Sequence, residues 1–207
     1  KREGNLKEAE EIIKKINTND NDLKLALIKT LSEIYSLQGK WEESEKVILQ
    51  ILENFPEEES PDNYIKLGFI NFNMEKTEKA IYYFKKALDL NPSDELREKA
   101  LFGLGYTYYL NGEVERAFSL WQEIENKFKE STFLPEIYFI KGKEYFETNN
   151  FQKSEIYLKK IVENYKDSSF LIQALPLLIE TYIKEEKLEE GENLCKEFME
   201  NTNGEIK

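Results

Sequence analysis

Histidine is missing altogether from this sequence of 207 residues. The side chain that most often serves as a general base near neutral pH, and that commonly ligates zinc, is therefore absent. Cysteine is nearly absent: Cys195 stands alone, which rules out an internal disulfide and fits a reducing or an oxidising compartment equally well. No apolar run approaches the roughly 18 residues of a membrane-spanning helix. The opening KREGNLKEAEEIIKK lacks the apolar core of a signal peptide. Positive charge is in deficit, 29 Lys and Arg against 41 Asp and Glu, for a formal net charge of -12 and a pI near 4.8. Long-range repulsion then opposes phosphate backbones and anionic membrane surfaces, so neither nucleic acid nor direct membrane insertion is expected. Glycine and proline are scarce too, 9 and 5, which leaves long stretches without a helix breaker.

What is present fits many amphipathic helices joined by short turns: 40% hydrophobic and 34% charged residues, with 13 Phe and 12 Tyr as bulky anchors. The stretch PDNYIKLGFINFNMEKTEKAIYYFKKALDLNPSD, Pro61 to Asp94, reads as one helical hairpin. Tyr64, Leu67, Gly68 and Phe72 mark one side of its first helix. Ala80, Ile81, Phe84, Ala87 and Leu88 fall at three-and-four spacing in its second, and Pro92 closes it. Gly68 and Ala80 let the two helices approach closely, and the large residues fill the remaining space.

The same pattern recurs along the chain. Ser44, Ala80, Ala117, Ser154 and Gly191 form a column of small residues separated by 36, 37, 37 and 37 positions. Tyr35, Tyr108, Tyr145 and Tyr182 form a second column that Asn71 interrupts. A third, Ile48, Phe84, Trp121 and Leu158, is large and apolar and continues to Cys195, which is accordingly expected as a packing thiol, without a histidine to activate it.

The spacing Tyr64-x2-Leu67-Gly68, Ala80-x3-Phe84, Pro92 resembles the tetratricopeptide repeat, whose usual length is about 34 residues. The resemblance implies an all-α fold, a right-handed superhelical solenoid of antiparallel helix hairpins. One array is expected over 1–207. The second helix of a truncated repeat occupies 1–22, with more chain expected upstream, and complete repeats occupy 23–60, 61–97, 98–134, 135–171 and 172–207. The surplus over the usual length lies in linkers such as NFPEEESPD, KFKESTFLPE and NYKDSSFLIQA. Their style resembles the repeats of bacterial extracytoplasmic lipoproteins and cell-division accessory proteins, which implies a periplasmic or outer-membrane-associated setting over a cytoplasmic one.

Chemistry-bearing clusters are few. The carboxylates Glu42–Glu43, Glu57–Glu59 and Glu189–Glu190 read as solvated faces, since none has the spaced oxygen ligands of a calcium loop. Gly103 and Gly105 sit inside a helical pattern and lack the strand and turn of a phosphate loop. No catalytic, metal or cofactor residue is assigned, and no enzyme activity is expected of this chain. Pro176 calls for a helix that starts after it or is kinked by it.

If first helices line the concave side, as the resemblance implies, the partner-binding groove presents Ile65, Phe69, Phe72, Asn73, Phe102, Tyr106, Tyr109, Phe139, Lys143 and Phe146, preceded by Lys29, Glu33 and Ser36 of the first complete repeat. Its rings either face the groove or pack between neighbouring first helices, and the spacing permits both. A chaperone-tail carboxylate clamp is not expected: Lys29 matches such a set, but Glu33 and Lys66 stand where asparagines are needed. The expected function is a protein or peptide scaffold. A self-associating structural module, forming a homo-oligomer, and a non-catalytic part of a larger protein are the alternatives.

Overall fold

The computed structural model describes residues 2–204, with side chains from 5 to 199. Over those residues the apolar spacing produces eleven α-helices, one 3-10 turn at Pro56–Glu58, and no strand. The chain divides into two compact units after Phe128. The first contains α1 (Arg2–Lys15), α2 (Asn21–Leu37), α3 (Trp41–Asn54), α4 (Pro61–Asn73), α5 (Thr77–Asp89), α6 (Asp94–Leu110) and α7 (Val114–Lys127). The second contains α8 (Leu134–Glu147), α9 (Phe151–Asn164), α10 (Leu171–Lys184) and α11 (Leu188–Gly204). Helices pair as hairpins, α2 with α3, α4 with α5, α6 with α7, α8 with α9 and α10 with α11, and each unit stacks its hairpins in chain order.

Local chemistry sets where the helices start. Asp20 accepts from the N–H groups of Asp22 and Leu23 at the head of α2. Ser60 accepts from Asn63 N–H at the head of α4, where Pro61 occupies the first turn. The hairpin turns are made alike. A residue with positive φ ends each first helix, namely Gly39, Glu75, Gly112, Asn149 and Glu186. The next N–H then returns to a carbonyl five residues back: Lys40 to Tyr35 at 2.9 Å, Lys76 to Asn71 at 2.9 Å, Glu113 to Tyr108 at 2.9 Å, Asn150 to Tyr145 at 2.8 Å and Lys187 to Tyr182 at 2.9 Å. This is the Schellman closure that a left-handed residue permits.

Glycine against a large side chain organises the packing. A Cβ at Gly68 on α4, or at Gly103 on α6, would lie 2.6 Å from Cε1 of Phe84. The fully buried Phe84 ring is thus held between two consecutive first helices that only glycine lets come so close. Trp121 lies against Gly105 in the same way, and Leu158 lies against Gly142 in the second unit. The small column Ser44, Ala80, Ala117 and Ser154 is fully buried between paired helices.

A second recurring contact is a lysine at the head of a second helix paired with a glutamate of the preceding second helix. Lys40 meets Glu10 at 2.8 Å, Lys76 meets Glu45 at 3.4 Å, and Lys187 meets Glu155 at 2.5 Å. At the equivalent sequence positions Ile81 and Phe118 replace the glutamate, and Glu113 and Asn150 replace the lysine. Both partners are therefore exchanged together. Hydrogen bonds from Lys14 and then Lys40 hold the Glu10 carboxyl at about 2. Burial works against Glu45 and Glu155, but Asn71, Lys76 and Lys79 around the first, and chiefly Lys187 around the second, still hold both carboxyls below the usual range.

One expectation is corrected, and one of two alternatives is excluded. Cys195 is only half-buried, unlike Ile48, Phe84, Trp121 and Leu158 in its column, because among the described residues no helix follows α11 to cover it. Of the two alternatives for Pro176, a later start is excluded: α10 begins at Leu171 and carries the proline within it. Asn71, the interruption of the tyrosine column, is fully buried, with Nδ2 donating to Leu67 O at 2.9 Å and Oδ1 lacking a hydrogen-bond partner.

Glu75 has φ 57°. A side chain in that region costs about 1–2 kcal/mol, against about 0.5–1 kcal/mol for the extra freedom glycine brings to the unfolded chain. Glu75→Gly should therefore stabilise by roughly 0.5–1 kcal/mol, read as a higher thermal midpoint. A lower midpoint would show that the turn is not strained.

The lowered carboxyls also set the acid response. A depressed folded pKa contributes stability above the unfolded value of about 4.3, and this stability is lost as pH falls through the folded value. Glu136, raised by burial, acts in the opposite sense and offsets part of the loss. The urea midpoint should fall between about pH 5 and pH 3, and should fall less steeply in a Glu10→Gln/Glu155→Gln double variant. Equal slopes would assign the acid response to other groups.

Candidate functional site

The aromatic residues of the first helices converge because Phe69 and Phe72 on α4, and Phe102, Tyr106 and Tyr109 on α6, recur at three-and-four spacing on facing sides. In the first unit they form a connected series. Phe72 lies 5.7 Å from Tyr106, Tyr106 stacks on Phe102 at 5.8 Å, and Phe102 reaches Trp121 at 6.4 Å, while Tyr109 lies 6.0 Å from Trp121. Phe69 meets Phe84 edge-on at 5.0 Å. Phe69, Phe72, Tyr106 and Tyr109 are half-buried, each with one side against this series. Ile65 and Phe102 are packed more deeply, at 4% and 9% exposure. Asn73 is exposed and donates from Nδ2 to Phe69 O at 2.8 Å.

The other three expected residues lie on α8 of the second unit. Phe139 packs on Phe170 at 5.7 Å and Phe146 meets Phe151 at 5.4 Å, both half-buried. Lys143 is exposed, 3.6 Å from Glu147.

The first unit also holds a cleft of about 580 Å³ between α2 and α4, lined by Ser32, Glu33, Ser36, Leu37, Trp41, Ile48, Lys66, Phe69, Ile70 and Asn73. Its origin is in the packing pairs. Where later repeats set glycine against Phe84, Trp121 or Leu158, this one sets Ser32 against Ile48, and Ser36 stands where Phe72, Tyr109 and Phe146 stand. With less volume inserted, α2 and α4 do not pack as closely as α4 and α6. The column comparison contains this signal, but as missing volume rather than as a motif.

Charges at the rim are mostly engaged. Lys66 pairs with Asp62 at 2.8 Å and stands 4.0 Å from Glu33, and Lys29 pairs with Glu58 at 2.6 Å. Among the described residues no three His, Cys, Asp or Glu side chains converge as metal ligands, and no helix is long and apolar enough to cross a membrane. Gly103 and Gly105 lie within α6, packed on Phe84 and Trp121. The chemistry this surface offers is non-covalent contact with apolar and aromatic groups.

A stack of helical hairpins closed by glycine and filled by large apolar residues defines a class of repeat scaffold. Residues 61–94, 99–131 and 135–168 each match a family model described as tetratricopeptide repeat, so these three segments are tetratricopeptide repeats. No curated protein matches the sequence. Among solved structures, MamA 41-end from Desulfovibrio magneticus RS-1 is similar at 16% identity and TM-score 0.67, covering 89% of this chain and 98% of that one. A tetratricopeptide repeat protein from Parabacteroides merdae is 18% identical, TM-score 0.67, over 96% of this chain and 74% of that one. The apo quorum sensor NprR from B. thuringiensis gives 16% and 0.72, over 94% of this chain and 57% of its own length. At these identities the likeness is one of fold.

The glycine wedge makes a stability prediction. Gly68→Ala places a methyl against a ring trapped between two helices and should destabilise by about 1–3 kcal/mol, the usual range for overpacking. Adding Phe84→Ile, which imitates the Ser32–Ile48 pair, should relieve the overlap, so the double variant should melt higher than the two single losses summed. Strict additivity in urea unfolding would remove the wedge as the cause.

Proposed function

We propose that this chain is a protein-interaction scaffold that holds an extended or helical segment of a partner protein on the aromatic face of its first helices. The observation that carries the reading is the half-buried series Phe69, Phe72, Tyr106 and Tyr109, whose rings are fixed by mutual contact and by Phe84, Phe102 and Trp121 while keeping an accessible side. Rings immobilised before binding lose little conformational freedom when a partner arrives, and aromatic side chains commonly dominate the energy of buried contacts. On α8, Phe139 and Phe146 offer the second unit a similar face, with Lys143 beside them. The acidic exterior disfavours acidic partners and nucleic acid. The linkers support a periplasmic or outer-membrane-associated setting.

A second reading is self-association through the last hairpin, favoured by Ile172 at 79% exposure together with exposed Ile183 and Leu188. Sedimentation over a concentration series separates the two, since only self-association makes the mass depend on concentration.

The main reading is tested with a partner retrieved by the intact chain. Phe72→Ala with Tyr106→Ala should weaken its binding by at least about 2 kcal/mol with the helical spectrum retained. Tyr82→Ala, at an exposed ring of α5, should leave it unchanged. Equal affinity of the folded double variant and the parent would move the binding surface away from the first helices.

A further inference from the structure

We infer that the cleft between α2 and α4 is an anchor site for one bulky apolar side chain of a partner peptide, flanked in that peptide by lysine or arginine. This deepens, and rests on, the scaffold reading above. In the next repeat the equivalent space is narrowed from within: Phe72 reaches to 5.7 Å from Tyr106, and a smaller cleft of about 420 Å³ remains beside it. Ser36 stands at the position of Phe72, and Phe69 at that of Tyr106, so the ring that would narrow the α2–α4 space is missing while its receiving wall is present. That wall is fixed, because Phe69 is seated edge-on against the buried Phe84.

The hydroxyls of the floor are already engaged. Ser36 and Ser44 share a hydrogen bond at 2.8 Å, and Ser44 Oγ lies 2.9 Å from the Ser32 carbonyl, to which it can donate. These hydroxyls satisfy one another, and Ile48 and Ile70 supply apolar surface beside them. Water in such a space finds few partners, so an apolar side chain displaces it at little cost. The volume of about 580 Å³ lies within the range of about 300–1,000 Å³ typical of ligand pockets.

Charge decides what flanks the anchor. Lys66 is held by Asp62 at 2.8 Å and stands 4.0 Å from Glu33. The Glu33 side chain, 64% exposed, remains accessible at the rim to a cation. A chain of net charge -12 repels an acidic flank and attracts a basic one.

The test is an NMR titration of the isotope-labelled chain with three peptides: acetyl-Gly-Lys-Trp-Lys-Gly-amide, its Glu-Trp-Glu counterpart and its Lys-Ala-Lys counterpart. The first should give saturable shifts at the amides of Ser32–Leu37 and Phe69–Asn73. The second should bind up to about fivefold more weakly, the range of an exposed ion pair, and the third should give none. Ser36→Phe restores the missing ring and should abolish the shifts while the protein melts no earlier; should that variant fold poorly, Ile48→Phe fills the same space. Glu33→Gln should reduce the preference for the basic peptide, leaving only the part due to net charge, and an unchanged preference would overturn the role of Glu33.

Equal shifts with the alanine peptide, or persistence of the shifts in a folded filled variant, would overturn the anchor site. Shifts confined to Phe102–Tyr109 would also overturn it while leaving the aromatic-face reading intact. Absence of saturable shifts at every amide counts against the anchor site alone, because the scaffold reading is judged on the retrieved partner.

Discussion

The approach of one first helix to the next depends on a large side chain meeting glycine. Phe84 fits between α4 and α6 because neither Gly68 nor Gly103 has a Cβ, and Trp121 and Leu158 meet Gly105 and Gly142 in the same manner. The contact is worth more than its own area, because it fixes the distance between helices on which every other side chain depends. The aromatic face follows from it. With α4 and α6 drawn together, Phe72 lies within reach of Tyr106, and Tyr106 is backed by Phe102.

Much of this was legible in the sequence because it is periodic. A small residue every 36 or 37 positions, with a large one four residues later, specifies the hairpins and their pairing. The helices, the absence of strand among the described residues and the burial of Ile48, Phe84, Trp121 and Leu158 agree with that reading. Less legible was how deeply each groove candidate sits. Ile65 and Phe69 lie one helical turn apart, yet Ile65 is buried and Phe69 half-buried, because depth depends on what the neighbouring hairpin brings opposite. Cys195 shows the same limit: its column predicts a packed residue, and packing needs a following helix.

The glutamate–lysine pairs do a different job. A lysine at the head of one second helix, joined to a glutamate of the previous one, links successive hairpins through their second helices. These groups are partly exposed, so each pair contributes modestly. Their value lies in register. A hairpin shifted along its neighbour would leave a buried carboxylate such as Glu45, or a half-buried one such as Glu155, without its lysine. Where the glutamate is replaced by Ile81 or Phe118, the lysine is replaced as well, which spares the fold an uncompensated charge.

The cleft between α2 and α4 then has a physical reading as a local relaxation of the rule that builds the rest. Replacing a glycine-and-ring pair by Ser32 and Ile48, and a ring by Ser36, removes side-chain volume at one point while Ser32, Ser36 and Ser44 keep their hydroxyls paired. An unfilled apolar space forfeits dispersion contacts along its lining and so lowers stability. The next repeat narrows the equivalent space with Phe72, which reaches Tyr106. The wider space at α2–α4 is where packing gives way to surface that another molecule can contact. Phe69 illustrates the exchange: one edge is fixed by Phe84, as a core residue would be, and the other remains open toward the cleft, as a binding residue requires.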